Sequence, residues 1–100
     1  MLSLNSNLGD MQYVKRISFS AGYSSACSLK TNSVYLLITG HPLRSKASGM
    51  YLISYNSNTY HVITPILESE YISCSIADGI LTVKCSETGM AFGALYKVIY

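Results

Sequence analysis

The sequence contains no tryptophan, only two prolines and only twelve charged side chains, seven Lys or Arg and five Asp or Glu, in 100 residues. A charged share of 12% excludes a disordered polyelectrolyte tail, since such segments combine high charge with few apolar residues. The net charge of +2 is too small to mark a nucleic-acid or membrane-surface partner. Its only local basic concentrations, Lys15-Arg16 and the Arg44/Lys46 pair, are far shorter than a polybasic run. Cysteine is scarce and odd in number, at 27, 74 and 85, which is not the arithmetic of a disulfide framework. No apolar run approaches the roughly 20 residues that a membrane-spanning helix requires. Residues 1–10 (MLSLNSNLGD) lack the basic start and apolar stretch of a signal peptide. Nowhere do apolar residues recur at helical spacing over a useful length.

What is present is apolar and aromatic. Hydrophobic residues make up 49% of the chain, and nine of its eleven aromatics are tyrosine. Tyrosine suits both strands and binding surfaces, because it joins an apolar body to a polar tip. The strongest local signal is YISCSIADGILTVKCS, residues 71–86. Apolar and polar residues alternate on both sides of Asp78-Gly79, a pair that tolerates the positive φ of a two-residue type I′ turn. Closing that turn sets Ala77 opposite Ile80, Ile76 opposite Leu81, Cys74 opposite Val83 and Ile72 opposite Cys85. A slip of one residue would turn every apolar side chain to water, so the register is strongly specified. Cys74 and Cys85 then share a face only diagonally, about 7–8 Å apart and beyond ordinary disulfide reach. All three cysteines read as small hydrophobes of a protein assembled in a reducing compartment.

Along the chain, residues 11–20 form a strand with Tyr13, Lys15, Ile17 and Phe19 on one face and Val14, Arg16 and Ser18 on the other. Residues 23–30 form a weaker strand with Cys27 and Leu29 inward. Residues 34–39 (VYLLIT) and 50–55 (MYLISY) are strands apolar on both faces. The stretch between them, residues 40–49, is a surface loop. A turn at 56–58 leads into a strand at 59–66, where Pro65 marks an end or a sheet edge. The hairpin and a last strand from Phe92, again apolar on both faces, complete the chain. About eight short strands bounded by Gly, Asn, Asp and Ser predict an all-β fold: an antiparallel β-sandwich, jelly-roll-like, with a small closed barrel as competitor. Residues 1–10 read as a lead-in segment and residues 11–100 as one β-sandwich domain.

A sandwich buries one face of each strand and wets the other. The doubly apolar strands exceed that need, and the sequence reading assigns Tyr35, Leu37, Tyr51, Ile53, Leu95 and Ile99 to the outward face. Contiguous apolar patches of that size are rare on monomers, so these six residues are expected to form a homo-oligomer interface. Lysine at Leu37 or Ile53 would then dissociate the assembly. The competing explanation is that the 40–49 loop covers them.

No constellation carries catalysis. Cys27, His41, His61 and Asp78 could supply a Cys-His-Asp set, but no nucleophile signature surrounds them. Glu68 and Glu70 lack an acidic loop and read as solvated edge charges. The two His and a Cys match no zinc spacing. The expectation is no enzyme, no metal and no cofactor. The 40–49 loop and the 55–61 hairpin tip offer His41, Arg44, Lys46, Tyr55, Asn56, Asn58, Tyr60 and His61. Tyr rings cover the apolar face of a pyranose, and amides and cations bond its hydroxyls or phosphates.

The phrases VYLLITG, SGMYLISY, YHVITPI and ISCSIADGILTVKCSETGMAFGALYKVI resemble the C-terminal head domains of phage tail fibres and receptor-binding proteins of phages infecting Gram-positive hosts. The resemblance covers most of residues 34–100 and is one of style, with no binding residue transferable by position. It implies a non-catalytic, homotrimeric tail component, assembled in host cytoplasm and carried on the virion. Such a component attaches to a cell-wall saccharide or teichoic-acid-like polymer, with no nucleic acid and no membrane insertion. The alternative is a monomeric bacterial carbohydrate-binding or adhesion module.

Overall fold

The computed structural model describes residues 10–20, 24–40, 48–86 and 90–99. It is an all-β sandwich of eight strands. These are β1 (Asp10–Ser20), β2 (Ser24–Ser28), β3 (Ser33–Gly40), β4 (Gly49–Tyr55), β5 (His61–Leu67), β6 (Ile72–Ala77), β7 (Ile80–Cys85) and β8 (Met90–Ile99). Every pairing is antiparallel. One sheet has five strands in the order β1-β8-β3-β4-β5 and the other has three in the order β2-β7-β6. Both sheets are open, so the closed barrel is excluded. The molecule is a slab of 40 × 33 × 19 Å. Its thin dimension is that of two sheets about 10 Å apart with one layer of side chains outside each.

The β6–β7 hairpin has the register that its alternation dictates, from Ile72↔Cys85 to Ala77↔Ile80. Asp78 and Gly79 take φ of 53° and 73°, the paired positive values of a type I′ turn. Ile72, Leu81, Val83 and Cys85 of its inner face are buried, and Cys74 and Ile76 pack against the same core. Pro65 lies on β5, the edge strand of the larger sheet, where its missing N–H takes no bond from a neighbour.

Two findings depart from the sequence reading. The first is a bulge in β1 between Tyr13 and Lys15. One extra residue reverses the faces, so Tyr13 pairs with outward Tyr96 while Lys15 pairs with buried Leu95. Lys15 thus leaves Tyr13's face, and its Nζ donates to the Ala26 carbonyl of β2 at 2.7 Å. Ile17, on the inner face with it, is buried.

The second concerns the doubly apolar strands. Leu37, Ile53 and Leu95 are 0% exposed, and Tyr35 and Tyr51 are 2% and 5% exposed. These five residues are the core between the sheets and cannot be an oligomer interface. The tyrosines explain the inversion. Each ring spans the core while its hydroxyl reaches the rim, where Tyr35 Oη accepts from Lys30 N at 2.9 Å and Tyr51 Oη accepts from Ser69 N at 2.9 Å. A buried tyrosine with a bonded hydroxyl has no desolvation cost left to keep it outside. The side chain of Ile99 lies outside the described residues.

Burial also affects the titratable groups of this core. It pushes the Cys74 thiol from 9.0 up to about 11 and raises the Tyr51 hydroxyl as well, against the lowering effect of its bond from Ser69. A group that stays neutral longer in the folded state stabilises fully below its unfolded pKa. That contribution is lost as pH rises through the folded value. Stability is therefore expected to fall between about pH 9 and about pH 11. Native Cys74 should resist iodoacetamide at pH 8 and react as pH approaches 11; urea unfolding across that range, with mass mapping of the label, checks both.

Candidate functional site

Two surfaces have the makings of a site. The first is the end of the sandwich where the β4–β5 loop, the β6–β7 turn and the β2–β3 turn meet. The loop at residues 56–60 is held by its own backbone. Asn56 N and Ser57 N both donate to Tyr60 O, at 3.0 and 3.1 Å. Ser57 Oγ accepts from Thr59 N at 3.3 Å and from Tyr60 N at 3.2 Å. Tyr55, buried at the base, donates its hydroxyl to Asn58 Oδ1 at 2.7 Å. That pair packs on the hairpin turn: a Cβ built at Gly79 would stand 3.3 Å from Tyr55 Oη. Leu29 N donates to Gly79 O at 2.8 Å and ties in the third connection. His61 sets Nδ1 3.3 Å from Ser57 O and its ring 6.1 Å from that of Tyr55.

This scaffold leaves Tyr60 72% exposed. Beside it lies a depression of about 240 Å³ lined by Ser54, Asn56, Thr59, Tyr60, His61 and Val62, the scale of one small ring. Asn56, Tyr60 and His61 are thus brought together as expected from the sequence. Buried Tyr55 holds the loop through its bond to the exposed Asn58. The remaining expected ligand residues, His41, Arg44 and Lys46, lie outside the described residues. The 40–49 loop re-enters at Gly49 and the 56–60 loop leaves after Tyr55, opposite ends of the seven-residue β4. That separates the two stems by about 20 Å. Among the described residues no three His, Cys, Asp or Glu gather to hold a metal ion.

The second surface is the outer face of the five-stranded sheet. Strand alternation sends Val34, Leu36 and Ile38 of β3 outward, opposite the buried Tyr35 and Leu37. Met50 and Leu52 of β4 follow the same parity, paired with Ile38 and Leu36. Ala94 and Tyr96 of β8 pair with those two residues from the other side. At the margin Tyr13 meets Tyr96 edge to face, with ring centroids 5.8 Å apart, and Val62 is exposed on β5. The face is therefore largely apolar, interrupted by Ser54, Thr64 and, on β1, Arg16. Near β1 a groove of about 480 Å³ opens over Gly93 and Ala94, walled by Tyr13, Arg16, Ile38 and Phe92.

No family model, no curated protein and no solved structure matches the chain. What these surfaces do must come from their own chemistry. The excess of apolar surface expected from the sequence lies on the opposite parity of these strands. The signal that would have found Ile38, Leu52 and Phe92 is the tyrosines: two on one face of paired strands can bury their rings and bond their hydroxyls at the rim, leaving the aliphatic face outside.

Proposed function

We propose that this chain is a non-catalytic attachment head, of the kind that ends a phage tail fibre, which binds a host cell-surface saccharide as a homotrimer. The observation that carries the reading is the braced loop end, where an exposed Tyr60 ring stands beside a ring-sized depression edged by Asn56 and His61. An aromatic platform with fixed amide and imidazole neighbours suits a pyranose, whose flat apolar face stacks while its hydroxyls bond. The bonds within the loop hold it before any ligand arrives, so little ordering entropy opposes binding. A single small depression binds weakly, and three copies on one body supply avidity without any new contact. In this reading the protein is assembled in host cytoplasm and carried on the virion tail. A cell-wall saccharide or teichoic-acid-like polymer is its partner.

The test is a glycan array and binding to whole Gram-positive cells, followed by titration calorimetry with the saccharide retained. Tyr60→Ala is expected to weaken binding about tenfold or more, the equivalent of about 1.4 kcal/mol. Ser75→Ala, exposed on the far sheet, should leave it unchanged. Saccharide bound equally well by Tyr60→Ala, or no glycan and no cell bound at all, counts against the reading.

A further inference from the structure

We infer that the outer face of the five-stranded sheet is the surface through which copies of this chain assemble, and that its occupant is a second copy of the same face. The inference rests on the attachment reading for its purpose, since weak sites need several copies, but not for its physics.

The physics is the face itself. Ile38, Leu52 and Phe92 are 38%, 38% and 44% exposed, on a slab whose broad side measures 40 × 33 Å. Five strands about 4.8 Å apart and some 20 Å long present roughly 500 Å² in projection before side-chain relief is counted. That is of the order of the 800 Å² per partner that a stable interface buries.

Charge decides the occupant. Among the described outward residues of this sheet Arg16 is the one charged side chain, and it sits on edge strand β1. A basic, acidic or phosphorylated partner would find nothing to pair with there. A face like itself brings no charge other than Arg16, which stands on the edge strand β1, and so asks for the least desolvation of charge. The groove over Gly93 and Ala94 gives a flat sheet the relief that an interlocking side chain from the next copy needs.

The experiment is sedimentation velocity on the unaltered protein and on Ile38→Lys/Leu52→Lys, in 0.1 and 1 M NaCl, with circular dichroism and saccharide binding on the same samples. The unaltered chain is expected to sediment as one closed oligomer in both salts, because apolar contacts are not screened. The double variant should keep its sheet signal and run as a monomer, its assembly weakened roughly a hundredfold or more. Should the lysines prevent folding, Leu52→Ser serves in their place and is expected to weaken assembly in the same direction. Assembly unaffected by these changes overturns the inference, as does an unaltered chain that stays monomeric at high concentration or adsorbs instead to phosphatidylcholine vesicles. A monomer that binds saccharide sinks this inference and the homotrimer, and leaves the saccharide site standing. An assembled protein that binds no saccharide sinks the attachment reading alone. A dimer broken by the variants supports the surface and removes the trimer.

Discussion

Lysine at Leu37 or at Ile53 is expected to leave no folded chain. Both positions are fully buried between the sheets, with Leu37 paired to Tyr51 and Leu95 and Ile53 paired to Tyr35 and Ile63. Removing the leucine or isoleucine alone costs about 2–5 kcal/mol. Placing an ammonium there adds several more, because among the paired residues no acid stands to meet it. The total rivals the roughly 5–15 kcal/mol that holds a domain of this kind together. Loss of the far-ultraviolet sheet signal and of a cooperative melt is the expected reading. A folded monomer, the outcome if these residues lined an interface, would mean that the sheet faces are inverted.

The second large effect is expected at Gly93. It lies in β8 between β1 and β3, paired with Ile17 and Thr39. A Cβ built there would stand 2.7 Å from the Ile38 carbonyl oxygen. That oxygen belongs to the neighbouring strand and cannot swing aside, so β3 and β8 would have to part in the middle of the sheet. Gly93→Val is expected to cost about 3 kcal/mol, the upper part of the usual range for overpacking. At roughly 4–8 °C per kcal/mol for a domain of this size, that lowers the melting temperature by more than about 10 °C. Gly40→Ala is the control. Its Cβ would meet the ring of Phe92 at 2.9 Å, a partly exposed side chain that can rotate away, so the loss there should be far smaller. Equal losses at the two glycines would show that the close approach to β3 is not what fixes Gly93.

The parts of the fold that were legible from the sequence are those where chemistry leaves one solution. Residues 71–86 alternate strictly around Asp78-Gly79, so turn and register follow together. Pro65 can sit only where no neighbour needs its N–H, and it marks the edge strand. The faces of β3, β4 and β8 were not legible in this way. When Val34, Leu36 and Ile38 are as apolar as Tyr35 and Leu37, alternation says that two faces exist but not which one is inside. The choice came from the rim, where backbone amides of Lys30 and Ser69 wait for the tyrosine hydroxyls. The bulge after Tyr13 was hidden for another reason: neither Gly nor Pro marks it, and it shows only against the register of β8. Of the candidate site, the cluster of Asn56, Tyr60 and His61 was readable because one short loop carries all three. Its partners His41, Arg44 and Lys46 lie outside the described residues.

The assignment of inside and outside is what the remaining conclusions rest on, and two adjacent residues test it. Leu52→Lys and Ile53→Lys differ by one position in β4 and by nothing in chemistry. Thermal unfolding of the two, followed by circular dichroism, should show a folded, cooperatively melting Leu52→Lys and an Ile53→Lys with no native transition. A folded Ile53→Lys beside an unfolded Leu52→Lys would reverse the faces and take the proposed assembly surface with them.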